Sequence, residues 1–244
     1  MANSYRVFGI VLSVAGAVLS PLFYFVVGSA PLTAMGISSI ILGFTGIALA
    51  NARPYISPEA CQTLLRTGME NTAALLEELG IRSKAIYLPS SLRNGRPQAL
   101  VPLIGDGDAG KIKDKLPGRL IVRYGSKPED MAIAVTTPGS INLDMLNSKP
   151  GPAADEIEAA IAYILTGVLD IASGVKVNLA DSRVNVEISG SKMGFENIWY
   201  YRCLGSPAAS VAAAVSSEAL NHPVRIIQES QHKDKSKIVL EVLT

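Results

Sequence analysis

The first fifty residues carry one charged side chain, Arg6. Residues 7–27 form one uncharged run and residues 32–50 a second, with Gly28-Ser29-Ala30-Pro31 between them. A helix rises about 1.5 Å per residue, so each run reaches roughly 30 Å, the depth of a bilayer core. So short a connection makes the two helices antiparallel neighbours. A buried helical hairpin of a soluble protein would show a polar face, and neither run has one. A signal peptide cut after Ala30 would leave Pro31 just past the cut, with a second apolar run following at once. The pattern predicts a transmembrane hairpin over residues 1–52, with spans at about 7–27 and 32–50.

Small residues recur within both runs. Gly9, Ser13, Gly16 and Ser20 are spaced 4, 3, 4, and so are Ser39, Gly43, Gly46 and Ala50. Such spacing puts each set on one helix face, where small side chains let backbones approach in lipid. The stripes would pack the two helices together or pack them against another copy. Arg6 precedes the first span, Arg53 and Arg66 follow the second, and the turn carries no charge. The positive-inside bias predicts both termini in the cytoplasm.

Beyond residue 50 the balance changes. The chain has 22 Lys or Arg and 21 Asp or Glu in all, and every one except Arg6 lies in this later part. Its net charge is therefore zero, which excludes a strongly basic nucleic-acid binder and a disordered tail. Two Cys and two His exclude a disulfide scaffold and a zinc cluster of ordinary spacing. The pattern implies no cofactor.

Residues 57–244 read as a cytoplasmic α+β domain of about three helices on mainly antiparallel β-hairpins. Ser57-Pro58-Glu59 starts a helix with a capping hydroxyl, Pro at the first position and an acid in the first turn. Leu65, Met69, Leu76 and Leu79 continue it, and Gly80 stops it. This helix would hang the domain close to the bilayer. Strands are expected at 84–88 and 99–104 around Arg93-Asn94-Gly95-Arg96, and at 119–124 and 131–136 around residues 125–130. Lys149-Pro150-Gly151-Pro152 separates two halves, 57–148 and 153–244.

A second helix is expected from about 153 to 173, with Ile157, Ile161, Ile164, Val168 and Ile171 on one face. Glu158 and Asp170 leave it too short an uncharged stretch to cross a membrane. Strands at 175–179 and 184–188 flank Asp181-Ser182. Ser206-Pro207 opens a small-sided helix to about Leu220, and strands at 224–228 and 236–243 close the chain. The recurring order of Ser-Pro, helix, strand, polar tip and strand suggests an internal duplication. Ser90 and Ser230, Leu100 and Leu240, and Leu103 and Leu243 share an offset of 140. Recurrence of a common supersecondary form accounts for it equally.

Catalytic motifs do not hold up. The stretch from Gly105 to Lys111 fits G-x-x-x-x-G-K, but Ile112 replaces the hydroxyl that binds Mg²⁺, and Asp106 and Asp108 put negative charge where phosphates would sit. Asp106-x-Asp108-x-Gly110 lacks the downstream Glu of a calcium loop. His222 suits a helix end and His232 a polar tip. Cys61 and Cys203 lack an evident activating partner, and Trp199-Tyr200-Tyr201 reads as core. No catalytic, cofactor or metal residue is assigned. Two basic tips, one with Arg93 and Arg96 and the other with Lys233 and Lys235, read either as solvated hairpin tips whose charge discourages edge pairing or as contacts for anionic head groups.

The expected function is that of a membrane-anchored interaction or assembly domain. Its partners would be the bilayer and either itself or another membrane protein, not nucleic acid. A membrane-tethered sensor of a small ligand or lipid is the alternative, and an enzyme on a membrane substrate comes third. An assembly protein should offer an exposed apolar patch, a sensor a ligand-sized cavity with convergent polar groups, and an enzyme titratable groups in a cleft.

Overall fold

The computed structural model describes residues 4–52, 58–96, 98–146, 148–180, 182–193 and 198–243. Arg53, Ser57 and Asp181, named above for orientation, capping and a turn, lie outside them. The chain divides into two compact units, Met1–Leu65 and Arg66–Thr244.

The first unit holds α1 (Ser4–Leu22) and α2 (Ala30–Ala52), with a π-helical turn, Phe23–Val27, ending the first. Two stretches, Arg6–Val27 and Ala30–Asn51, are long and apolar enough to cross a membrane. Gly28 reverses the chain at φ +65°, a conformation that costs a residue without Cβ little. The hydroxyls of Thr33, Ser38, Ser39 and Thr45 each donate to the carbonyl four residues earlier. That bond satisfies a hydroxyl within an otherwise apolar helix.

The second unit is a mixed helical and antiparallel β structure. α3 (Pro58–Glu78) spans the boundary between the units and ends at Gly80, φ +67°. β1 (Ile86–Tyr87), β2 (Ala99–Pro102), β3 (Ile121–Arg123) and β4 (Met131–Val135) follow, then α4 (Pro138–Asn142) and α5 (Ala154–Ala162). Next come β5 (Gly174–Ala180), β6 (Arg183–Ser189), α6 (Trp199–Leu204), α7 (Pro207–Leu220), β7 (Val224–His232) and β8 (Lys235–Val242). Among the described residues these strands form one sheet in the order β3-β4-β2-β1-β7-β8-β6-β5. Every pairing is antiparallel. The halves 57–148 and 153–244 thus supply four strands each and meet where β1 pairs β7.

The sheet is covered unequally, and the strand sequences follow the cover. One face packs along its length against helices, through Tyr87, Val101, Ile133, Val186, Ile238 and Leu240. The other face is covered only over β1–β4, where Ile112 and Leu116 lie on Ile86, Leu100, Val122 and Ala134. Buried on both sides, β2 reads Ala-Leu-Val-Pro without a polar residue. β6 has a solvated outer face and alternates, with Val184, Val186 and Ile188 inward and Arg183 and Glu187 outward. Leu100 and Leu240 consequently face opposite sides of the sheet. The offset of 140 does not relate equivalent positions.

α7 is the central helix, buried from Ala209 to Ala219. Ser206 caps it by accepting from the Ala209 amide at 3.2 Å, with Pro207 next, as the Ser-Pro signal implies. Its Ala and Ser side chains admit α4 at very short range. A Cβ on Gly139 would lie 2.1 Å from the Ser210 carbonyl oxygen.

Several expectations need correction. The second expected helix stops short. α5 gives way at Tyr163 to a π-helical turn ending at Val168, and Asp170 takes φ +50° before β5 begins. Strands β1 and β3 are shorter than their apolar runs. Trp199-Tyr200-Tyr201 opens a helix, and α4 was not anticipated at all. Both extra helices are too short to establish a 3.6-residue period.

Candidate functional site

The hairpin packs through its smallest residues. A Cβ on Gly9 would lie 2.7 Å from the Gly43 carbonyl oxygen, one on Gly16 2.6 Å from that of Gly36, and one on Gly43 2.1 Å from Ser13 Oγ. Ser20 lies against Gly36, and Ile40 and Ile47 fill the spaces between. Ala50 is buried, while Ser39 and Gly46 are half-buried beside the seam. Gly36 also lies on the seam, one turn before the small-residue stripe that begins at Ser39.

α3 presents two unlike flanks. Leu76 is buried, and Met69 and Ala73 pack beside it. On a neighbouring flank Leu75 and Leu79 are 49% and 54% exposed. Gly68, Leu75 and Leu79 fall within roughly 40° of the helix circumference at 3.6 residues per turn. A Cβ added at Gly68 would meet nothing within 4 Å. The result is an open apolar strip along α3.

Another flank of α3 forms a groove with α6. It encloses about 460 Å³ lined by Glu70, Ala73, Ala74, Glu77, Ile198, Trp199 and Arg202. A neighbouring hollow of about 340 Å³ shares Trp199 and Arg202 and adds Arg82 and Cys203. The Trp199 indole N–H donates to the Ile81 carbonyl at 2.9 Å, which fixes the ring as a wall. The Arg202 guanidinium lies 5.4 Å from the ring centre, a cation–π distance. Burial pushes the Cys203 thiol up, with Arg202 opposing. Burial likewise pushes Tyr200 to about 12. Burial, with Tyr200 adding to it, raises Tyr87 far above the usual phenol range, and its hydroxyl donates to the Leu204 carbonyl at 2.6 Å.

The Gly105–Lys111 stretch is a pinned surface loop. Lys111 Nζ lies 2.7 Å from Asp130 Oδ1, and the Lys127 amide donates to the other carboxylate oxygen at 3.0 Å. Lys111 in this bond holds the Asp130 carboxyl below its usual range. Arg225 donates to the Asp106 and Gly107 carbonyls at 2.7 and 2.9 Å, and Asp108 caps the next turn through the Gly110 amide. The lysine that would meet phosphates is thus committed to a carboxylate. His222 accepts from Ser217 Oγ through its carbonyl at the end of α7. His232 closes β7 opposite Lys235. Among the described residues no group of His, Cys, Asp and Glu is arranged to hold a metal ion.

A buried carboxylate that sequence reasoning missed ties the halves together. Glu218 of α7 accepts from the Ser90 amide at 2.8 Å and its hydroxyl at 2.5 Å, with Lys149 Nζ at 3.3 Å. Burial pushes its pKa up, but the Ser90 bonds and Lys149 outweigh it and leave the group below its usual range.

The basic tips lie apart. Tyr87 opposes Val224, so the β1–β2 connection leaves the sheet where β7 begins. Lys233 and Lys235 sit where β7 ends, nine residues along or roughly 25–30 Å away. The two tips therefore lie at opposite ends of β7.

The family described as a domain of unknown function, DUF7982, matches residues 2–242. No curated protein and no solved structure matches the chain at significance. The family match takes in the apolar helices and the sheet alike, and the chain belongs to the DUF7982 family.

Proposed function

We propose that this protein is a membrane-anchored assembly protein that self-associates through α3. In this reading α1 and α2 span the bilayer, both termini are cytoplasmic, and the leucine strip of α3 seats a second copy. The observation that carries it is the strip itself: Leu75 and Leu79 are each about half exposed on one flank of α3, beside the open Gly68. Exposed leucines in such a row are characteristic of an interaction face. Two helices long and apolar enough to cross a membrane support the reading further, because copies held in one plane would meet at high effective concentration. The test is the oligomeric state of the full chain in detergent, read by light scattering. An oligomer that Leu75→Glu with Leu79→Glu dissociates supports the proposal. A monomeric wild type, or an oligomer indifferent to both changes, overturns it.

The α3–α6 groove favours a second reading, ligand sensing. Its volume lies within the range of small-molecule sites, and charged groups of both signs line it. Trp199 is the chain's one tryptophan, so a ligand in the groove would change the intrinsic fluorescence directly.

A further inference from the structure

A second segment is stitched beside the Arg93–Arg96 tip. The Asn94 amide donates to the Leu116 carbonyl at 2.8 Å, and the Leu116 amide to the Leu92 carbonyl at 3.0 Å. Ile112 and Leu116 are buried anchors, and the residues between and beyond them, Lys113, Lys115 and Arg119, are exposed. The Ala134 amide donates to the Leu120 carbonyl at 2.7 Å, which fixes Arg119 and Leu120 at the same end of the sheet. Basic residues 26 positions apart in sequence thus become one surface.

That surface holds Arg93, Arg96, Lys113, Lys115 and Arg119 against one acid of its own, Asp114. Asp144 approaches Arg96 at 3.6 Å from α4's end, in solvent, where such a pair is weak. In a chain of net charge +1 this is a marked local excess. Leu120 and Ile121, 60% and 58% exposed, adjoin it.

We infer that this end of the sheet docks on an anionic membrane surface. Basic side chains would meet the head groups, at roughly a fivefold gain in the contact equilibrium for each residue near the surface. Leu120 and Ile121 would enter the head-group boundary, as the apolar residues of interfacial segments do. The patch has no exposed aromatic ring between its basic residues, and single-stranded nucleic acid binding relies on such rings. Lipid therefore fits better than RNA. The Lys233–Lys235 tip, at the far end of β7, takes no part.

The test is hydrogen exchange of the full chain in nanodiscs, one set of phosphatidylcholine and one also containing phosphatidylglycerol. The amides of residues 113–121 should exchange more slowly in the anionic discs, and high salt should remove the difference. Lys113→Gln with Lys115→Gln and Arg119→Gln should lower the contact equilibrium by about a hundredfold and abolish the protection. Lys233→Gln with Lys235→Gln should leave it intact, as should the thermal midpoint in both variants. Equal exchange in the two lipids overturns the inference. So does protection that survives high salt, or protection conferred in phosphatidylcholine discs by an added RNA oligonucleotide but not by anionic lipid.

Discussion

Replacing a glycine with alanine should have opposite consequences at Gly139 and Gly68. At Gly139 the new Cβ would fall 2.1 Å from the Ser210 carbonyl oxygen, 2.6 Å from its carbon and 2.7 Å from Ala214 Cβ. Two of those atoms are backbone of a wholly buried helix, so α4 must retreat from α7. Overpacking of this kind costs about 1–3 kcal/mol. The retreat also stretches the bond from the Gly139 amide to Ser210 Oγ, now 3.1 Å, and losing it costs about 1 kcal/mol more. The better helix propensity of alanine offsets up to ~1 kcal/mol, leaving a net loss of roughly 1–3 kcal/mol. At Gly68, in mid-helix, no atom lies within 4 Å of the new Cβ, so only the propensity gain of up to ~1 kcal/mol remains. Urea unfolding of the full chain in detergent, followed by Trp199 fluorescence, measures both. The midpoint should fall for Gly139→Ala and rise for Gly68→Ala, with unchanged slopes. A Gly139→Ala variant as stable as wild type would refute the close α4–α7 contact. A destabilised Gly68→Ala variant would refute the open strip on α3.

Glu218, whose pKa is lowered on folding, contributes stability that is present above the ordinary glutamate value and is lost as pH falls through the folded value. Glu218→Gln should therefore be less stable at neutral pH by about 1 kcal/mol, and the gap should close in acid; a gap independent of pH refutes this. Lys111→Ala should destabilise the Gly105–Lys111 loop, and millimolar ATP with Mg²⁺ should leave the thermal midpoint of wild type unmoved. A nucleotide-dependent rise that the variant lacks would restore the phosphate-loop reading. Ser29→Cys should react with an impermeant thiol reagent outside intact cells and Ser126→Cys should not; the reverse labelling overturns the orientation. Removal of residues 1–56 should leave a soluble protein that unfolds cooperatively, as ~190 residues can bury a sufficient core; a molten product would show that the apolar helices complete that core.

The elements that sequence alone determined are those whose signal is local and repeated. The two apolar helices follow from uncharged runs of bilayer length, and Gly9, Gly16 and Gly43 from the need for small residues wherever two helices approach closely. Ser206-Pro207 marks the start of α7 because a cap and a fixed φ act within one turn. The alternation of β6 and the unbroken apolar run of β2 already distinguish a sheet face open to water from one closed on both sides. Tertiary structure alone decided what depends on distant chain coming together. The π turn at Tyr163–Val168 shortens a helix whose periodic pattern continues. Glu218 finds Ser90 across 128 residues, and Lys111 finds Asp130 across a hairpin. The antiparallel register of β1 on β7 sends two similar basic tips to opposite ends of the sheet, and the stitching of Leu116 to Leu92 and Asn94 gathers Lys113, Lys115 and Arg119 beside one of them. Charge type is written residue by residue, whereas the side of the molecule on which a charge emerges is set by strand order and by hydrogen bonds between segments far apart in the chain.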